Sequence, residues 1–413
     1  MPFLVMLFVV AFIDRVNVGY AALEMTKDLG FDAEVLGFGS GIFFIGYFLL
    51  EIPGSLIVER WSARKWLARI IISWGLLAGL MGFIQNSTHF YVVRILLGMA
   101  EAGFFPGVIV YLSHWFPYRH RAKTVAMFMT AIPIANIFAA PLSGYILGVN
   151  WLGLAGWRWV FILEAIPAVI LGFVTIFYLT DDPKDAKWLS EPERKWIINE
   201  LGRELAAKKS VRSFTIPQAF RDRRVVLIAL AYFCGVTSTY GFNFFLPTII
   251  KDMSGYSNLA VSCISITPYC AGLIAMLLVG WSSDRTGERR RHAAFSVLTA
   301  SFGLLMSGVA YENGNTILAV AMFSIAGAGI YSYIPTLWSI PTSFLTETAA
   351  AASIGLINSV GNLGGFVGPY AVGYLVKNTG SFTSGMAFLA CSALAAGLLI
   401  LALRKAPPPD VIV

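Results

Sequence analysis

Phe12-Ile13-Asp14-Arg15-Val16-Asn17 sets two opposite charges inside an otherwise apolar run from Pro2 to Leu23. A bilayer-crossing helix needs about 20 largely apolar residues, and this run is that long only with Asp14 and Arg15 included. Charges at that depth are costly and must face protein or a water-filled cavity rather than lipid. Two chemistries fit the pair. One is a structural ion pair that fixes helix packing. The other is the charged wall of a transport cavity, and intramembrane ionisable groups point to function by default. Arg15 stays protonated at any relevant pH, and its planar fork matches a carboxylate.

Further charges lie at the same depth in the N-terminal half. Arg94 and Glu101 are seven residues apart on one apolar segment. That is about two helical turns, so they share a face about 10 Å apart. A carboxylate there can change its charge, because desolvation disfavours the ionised form, and Glu101 suits a proton site. Arg94 reads equally as a packing partner for an acid and as a second substrate-side charge. Tyr47 can hydrogen-bond a bound carboxylate, although tyrosines also serve at helix contacts. Glu51 and Glu164 lie nearer segment ends and read first as structural.

The second half differs. Between Leu227 and Leu403 mid-membrane charge is almost absent, and the polar groups include Tyr240, Asn243, Ser332, Thr336, Trp338, Asn358 and Asn362. This asymmetry assigns charge recognition and proton coupling to the N-terminal half. The C-terminal half would then contact the uncharged part of a substrate, with Asn243, Trp338 and Asn358 as candidate contacts.

The elements that must position these residues are helices. Of the 413 residues, 57% are hydrophobic and 13% charged, where a soluble domain carries about 25% charge, and mean hydropathy is +0.72. The chain is read as an all-α integral membrane protein. Twelve spanning segments are expected at about 2–23, 35–58, 66–84, 90–112, 124–147, 158–179, 225–249, 260–281, 293–311, 315–339, 349–375 and 382–403. Six segments, a long polar connection and six more give an N-terminal lobe (1–179), a cytoplasmic linker (180–224) and a C-terminal lobe (225–413), the layout of a two-lobed transporter built from repeats. An internal echo agrees: Gly54 to Lys65 contains Glu59-Arg60, and Gly280 to Arg290 contains Asp284-Arg285, at the same point of each half.

Lysine and arginine set the orientation. They concentrate in the loops after the second, fourth, sixth and eighth segments and in the C-terminal tail, including Arg64, Arg119, Arg121, Lys123, Arg404 and Lys405. Both termini are therefore expected to be cytoplasmic. Basic residues that follow this rule argue against nucleic-acid binding. In the linker, Ser190-Glu191-Pro192-Glu193 reads as a helix start, and Trp196, Ile197 and Leu201 would form an apolar stripe. The four cysteines (Cys234, Cys263, Cys270, Cys391) lack metal-ligand spacing and read as packing residues. No basic region precedes the first run and no cleavage-type site follows it, so no cleavable signal is expected. The abrupt start leads us to expect a short cytoplasmic tail ahead of residue 1. No cofactor or metal is expected. No nucleophile–base pair is visible, and the Gly361-Asn362-Leu363-Gly364-Gly365 stretch lacks the strand and lysine of a phosphate loop. It reads instead as a helix that packs closely or bends.

Several stretches together resemble the anion:cation symporter group of the major facilitator superfamily, which contains bacterial tartrate, hexonate, phthalate and hydroxyphenylacetate permeases. They are Asp14-Arg15-Val16-Asn17, then Arg94 through Glu101 to Gly107, and Trp157-Arg158-Trp159. Leu246-Pro247-Thr248, Ser283-Asp284-Arg285 through Arg290 and Asn358-Ser359 through Gly365 follow. The resemblance runs through nearly the whole chain. It implies a proton-coupled symporter for organic acid anions in a bacterial inner membrane, and the functional unit is expected to be a monomer. It also implies that Arg15 and Tyr47 bind the substrate carboxylate, that Glu101 and Asp14 carry protons, and that Arg94 interacts with these acids. The late segments look most like tartrate transporters. One departure is that Glu59 and Ser62 stand where the superfamily usually has aspartate and glycine. The acid–Arg pairs Glu59-Arg60 and Asp284-Arg285 survive, so gating contacts are expected there. The rival readings are a proton-independent organic anion facilitator or exchanger, and a symporter for an aromatic carboxylate. A membrane sensor or an enzyme accounts for the cavity charges less well.

Overall fold

A computed structural model describes residues 1–117, 124–125, 127–209, 222–341 and 347–403. Arg119, Arg121, Lys123, Arg404 and Lys405, and the 210–221 part of the linker, lie outside the described residues. Glu59 and Arg60 sit on the last turn of a helix, but their side chains are also outside the described set.

Among the described residues all regular structure is helical. The first half contains α1 (Pro2–Leu29), α2 (Ala33–Arg60), α3 (Ala63–Leu80), α4 (Ser87–Glu101), α5 (Phe104–Ser113), α6 (Ala131–Leu147) and α7 (Gly156–Tyr178). The linker forms α8 (Glu191–Lys209). The second half contains α9 (Arg223–Ser254), α10 (Asn258–Ile264), α11 (Ile266–Thr286), α12 (Arg289–Glu312), α13 (Thr316–Trp338), α14 (Glu347–Thr379) and α15 (Phe382–Leu401). Eleven segments among the described residues are long and apolar enough to cross a membrane. The remaining expected segment, 349–375, falls inside the 33-residue α14.

Two expected spans are each broken into two helices. Within 90–112, α4 ends at Glu101 and Gly103 takes a left-handed backbone (φ 85°) before α5 begins. A side chain is disfavoured in that conformation, and Pro106 offers no N–H for the preceding turn. The break leaves Glu101 on a helix end rather than in mid-helix. Within 260–281, Ser265 separates α10 from α11.

The chain divides into two compact units, one comprising 1–30 with 42–211 and the other 31–41 with 212–413. In the first unit α1 packs on α6 and α7, and α3 packs on α4 and α7. Helices α2 and α4 approach backbone to backbone. A Cβ on Gly98 would collide with the Phe43 carbonyl oxygen, and one on Gly46 with that of Ile95. Small residues permit such approach, and it carries Phe43 and Tyr47 to the face that bears Arg94 and Glu101. In the second unit α9 packs on α14 and α15, and α12 on α13 and α15. The glycine-rich stretch of α14 is a packing device: Gly361 lies against the Tyr232 ring, Gly364 against the Phe233 carbonyl and Gly368 against the Thr237 carbonyl.

The start of the linker is tied to the first unit. Ser62 caps α3 by accepting from Lys65 N (3.1 Å) and donates to Asp181 Oδ2 (2.7 Å), while Arg64 N donates to Asp181 Oδ1 (2.8 Å). Tyr111 Oη donates to Thr180 O (2.9 Å). The expected helix start at Ser190 is present, with Ser190 N and Oγ both donating to Glu193 Oε2 (3.0 and 2.6 Å). These bonds hold the Glu193 carboxyl below its ordinary range. Ile197 and Leu201 are half-buried and Trp196 is exposed.

Candidate substrate and coupling site

Neighbouring residues on a helix do not face each other, and Asp14 and Arg15 accordingly take different partners. Arg15 Nη2 donates to Glu101 Oε1, joining α1 to the end of α4. The guanidinium carbon lies 5.1 Å from the Phe12 ring centroid, 5.3 Å from Phe43 and 5.6 Å from Tyr47. Arg94, 1% exposed, lies 4.9 Å from the opposite partner in that group, the Phe43 ring. Cations over aromatic faces within about 6 Å are held by the ring quadrupole, so Phe43 is shared by both arginines. The site is two guanidiniums, one carboxylate and three rings in a buried setting.

Asp14 points elsewhere. Trp74 Nε1 of α3 donates to its Oδ2 (2.8 Å), and its Oδ1 has no hydrogen-bond partner. One turn further along α1, Asn17 lies beside the carboxyl of Glu164 on α7, which accepts from Ser143 Oγ of α6 (2.7 Å). Asp14 and Glu164 are each 3% exposed and Asn17 and Ser143 fully buried. Tyr47 and Glu51, one turn apart on α2, are both 5% exposed. The structure thus brings Arg15, Glu101, Tyr47 and Arg94 into one cluster and sets Asp14 in a second.

In the second unit Asn243 is 2% exposed, and its Oδ1 accepts from Tyr331 Oη (3.0 Å) while its Nδ2 has no partner. Trp338 meets Tyr232 edge to face at 5.0 Å, with its Nε1 unpartnered. Asn358 is half-buried on α14. An unused buried donor is the group a polar ligand would satisfy. Asp284 and Arg285 do not pair with each other. Asp284 Oδ1 lies 3.9 Å from Arg289 Nη2, and Arg285 lies 5.5 Å from the Trp281 ring centroid.

Trp74, Ser143 and Tyr331 were not singled out from the sequence. Each is a common membrane-helix residue, and only the structure shows that each holds a polar group of the candidate sites. The Trp157-Arg158 stretch is structural: Trp157 Nε1 donates to Asp28 Oδ2 (2.8 Å), and Arg158 Nη1 donates to the carbonyls of Gly82 (2.9 Å) and Ile84 (3.0 Å). Among the described residues no group of three or more metal-ligating side chains occurs, and the four cysteines are free thiols.

Residues 3–369 match the model of the Major Facilitator Superfamily. The chain belongs to that superfamily. It is a multi-pass membrane transporter and not an enzyme. A relative from Agrobacterium vitis named "Putative tartrate transporter" is 47% identical over 410 residues, covering 99% of this chain and 94% of the relative. An Acinetobacter baumannii protein named "Quinolone resistance transporter" is 41% identical over 389 residues, covering 94% and 89%. Among solved structures, the xylose transporter XylE from E. coli aligns with a TM-score of 0.76 at 15% identity, covering 98% of this chain and 96% of that one. That likeness shows the shared fold.

Proposed function

We propose that this transporter is a proton-coupled symporter importing a small organic acid anion, of the sugar acid or tartrate type, across a bacterial inner membrane. The observation that carries the reading is the buried Arg15–Glu101 ion pair beside Tyr47. An incoming carboxylate competes with Glu101 for the guanidinium fork. Displaced from its cation, the buried Glu101 carboxylate would be left uncompensated, which is costly. A proton removes that cost. Anion and proton therefore load together, each raising the other's affinity. Asp14 is the second proton site and Arg94 the cation that balances the acids. Asn243, Trp338 and Asn358 are the proposed contacts of the second unit with the uncharged part of the substrate. Glu59-Arg60 and Asp284-Arg285 are the proposed gating residues. Both termini are placed in the cytoplasm, with lobes at 1–179 and 225–413 joined by a cytoplasmic linker at 180–224, and the functional unit is a monomer. The name of the 47% identical relative supports the substrate class.

A second reading, transport of an aromatic carboxylate, draws on the rings of Phe12, Phe43 and Tyr47 around Arg15. The test is uptake into proteoliposomes of radiolabelled tartrate, sugar acids, phthalate and hydroxyphenylacetate, with and without an inward proton gradient. Gradient-driven accumulation of tartrate or a sugar acid supports the main reading, and preference for the aromatic acids supports the second. Uptake indifferent to the gradient makes the protein a facilitator or exchanger.

A further inference from the structure

Among the described residues of the first unit, Asp14, Glu51, Glu101 and Glu164 are each at most 5% exposed. Arg15 is committed to Glu101. Among the described residues, neither Asp14 nor Glu164 has an ion pair. Each has one oxygen on a neutral donor, Trp74 for Asp14 and Ser143 for Glu164, and no well-aligned hydrogen bond at its other oxygen. Asn17, one turn from Asp14 on α1, is fully buried beside the Glu164 carboxyl, and its amide makes no well-aligned hydrogen bond. Three buried polar groups from two helices are therefore neighbours, each with an incomplete set of hydrogen bonds.

An ionised carboxylate with a single neutral donor is poorly compensated in a buried site. A proton on Glu164 removes the charge and creates an O–H, the donor that the Asn17 side-chain carbonyl lacks. The titratable groups that act on this cluster are Asp14 itself and Glu101 from α4. Helix α6 carries no acidic or basic residue and contributes the neutral Ser143, and the Glu164 carboxyl is near enough for its charge to act on Asp14. Two acids so placed titrate as a coupled pair.

We propose that Glu164 is a third proton-bearing acid of this transporter, exchanging its proton with Asp14 through the cluster that Asn17 bridges. In the transfer, neutral Glu164 gives up its carboxyl proton to ionised Asp14. Glu164 becomes the carboxylate, Asp14 becomes the neutral acid, and the net charge of the cluster is unchanged. Asp14 then releases the proton to water in the cavity. The competing role for Glu164 is a static one, a permanently neutral link between α6 and α7 through Ser143.

The transport arm of this inference rests on the proton-coupled reading, so the decisive experiment begins without transport. Infrared difference spectra of the purified protein report carboxylic acid C=O bands. On raising the pH, one such band should disappear in the unmodified protein and be missing throughout in Glu164→Gln. Ser143→Ala, which keeps the acid, should retain a titrating band at shifted frequency, and Glu164→Asp covers the case in which the glutamine variant does not fold. In proteoliposomes, Glu164→Gln should keep substrate counterflow and lower the proton-to-substrate ratio. A Glu164 band that never titrates, or a glutamine variant with an unaltered ratio, overturns the proposal in favour of the static link. If the band titrates but the unmodified protein shows no proton-driven flux, the exchangeable proton stands and the symport reading falls.

Discussion

Arg15 on α1 and Glu101 at the end of α4, 86 residues apart, are joined by an ion pair through one guanidinium nitrogen, Arg15 Nη2 to Glu101 Oε1. On the reading proposed above, Glu101 holds the place of a substrate carboxylate, and substrate binding would break the pair and free an acid. Recognition and proton coupling would then be one event rather than two sites in communication.

The fork geometry is the first point to test. Arg15→Lys keeps the charge but loses the bidentate match. Charge-assisted hydrogen bonds of this kind are worth about 1.5–3 kcal/mol each, so the substrate Kd should weaken by roughly 10- to 150-fold. Isothermal titration of the purified protein measures it. Affinity close to that of the unmodified protein would remove Arg15 from the site.

The α2–α4 approach that places Phe43 and Tyr47 depends on Gly98. A Cβ there meets backbone, with the Phe43 carbonyl in its path, whereas a Cβ on Gly79 would find only Ala165 Cβ at 3.5 Å. Gly98→Ala should lower thermal stability and binding together, and Gly79→Ala should leave both near normal. Equal effects from the two substitutions would contradict the packing account.

Ser62, where the superfamily usually has glycine, both caps α3 and holds Asp181. Loss of a cap costs about 1 kcal/mol, and the second bond adds to it. Ser62→Ala should therefore destabilise by about 1–2 kcal/mol. In a double-mutant cycle with Asp181→Asn the effects should be less than additive. Thermal unfolding of the four proteins gives the coupling.

Asp32 supplies a pH-dependent element outside the membrane. Val35 N donates to its Oδ1 (2.8 Å) and Lys377 Nζ lies 3.0 Å from its Oδ2. The backbone donor first, and then Lys377, hold its carboxyl below the ordinary value. A depressed acid contributes stability above its unfolded-state pKa and loses it as pH falls through the folded-state value. The contribution of Asp32 should thus be constant from neutral to mildly acidic pH and vanish below the ordinary aspartate range, about 3.9. The difference in melting temperature between the unmodified protein and Asp32→Asn, followed against pH, should show that profile and close at the acid end.

Much of the fold was legible because hydropathy marks spans and basic loops mark their ends. The candidate charges were legible for the same reason: Asp14, Arg15, Arg94 and Glu101 stand out against apolar sequence. Partner choice was not legible. Asp14 beside Arg15 invites a local pair, yet adjacent helix positions diverge, and Trp74 and Glu101 claim them from other helices. Glu164 read as structural because it lies nearer a segment end, and its neighbours Asn17 and Ser143, from distant segments, gave no sign of their proximity. The break at Gly103 was hidden because α4 and α5 are both apolar and together read as one continuous span.

The central claim is that Glu101, released from Arg15 by substrate, takes the transported proton. Glu101→Gln is a neutral mimic of the protonated acid, and the deciding measurement is its gradient-driven uptake beside counterflow in the same vesicles, with sodium and membrane potential controlled. The account expects the variant to bind substrate and to exchange labelled for unlabelled substrate, but to accumulate none when an inward proton gradient is imposed. Accumulation driven by that gradient in Glu101→Gln would contradict it.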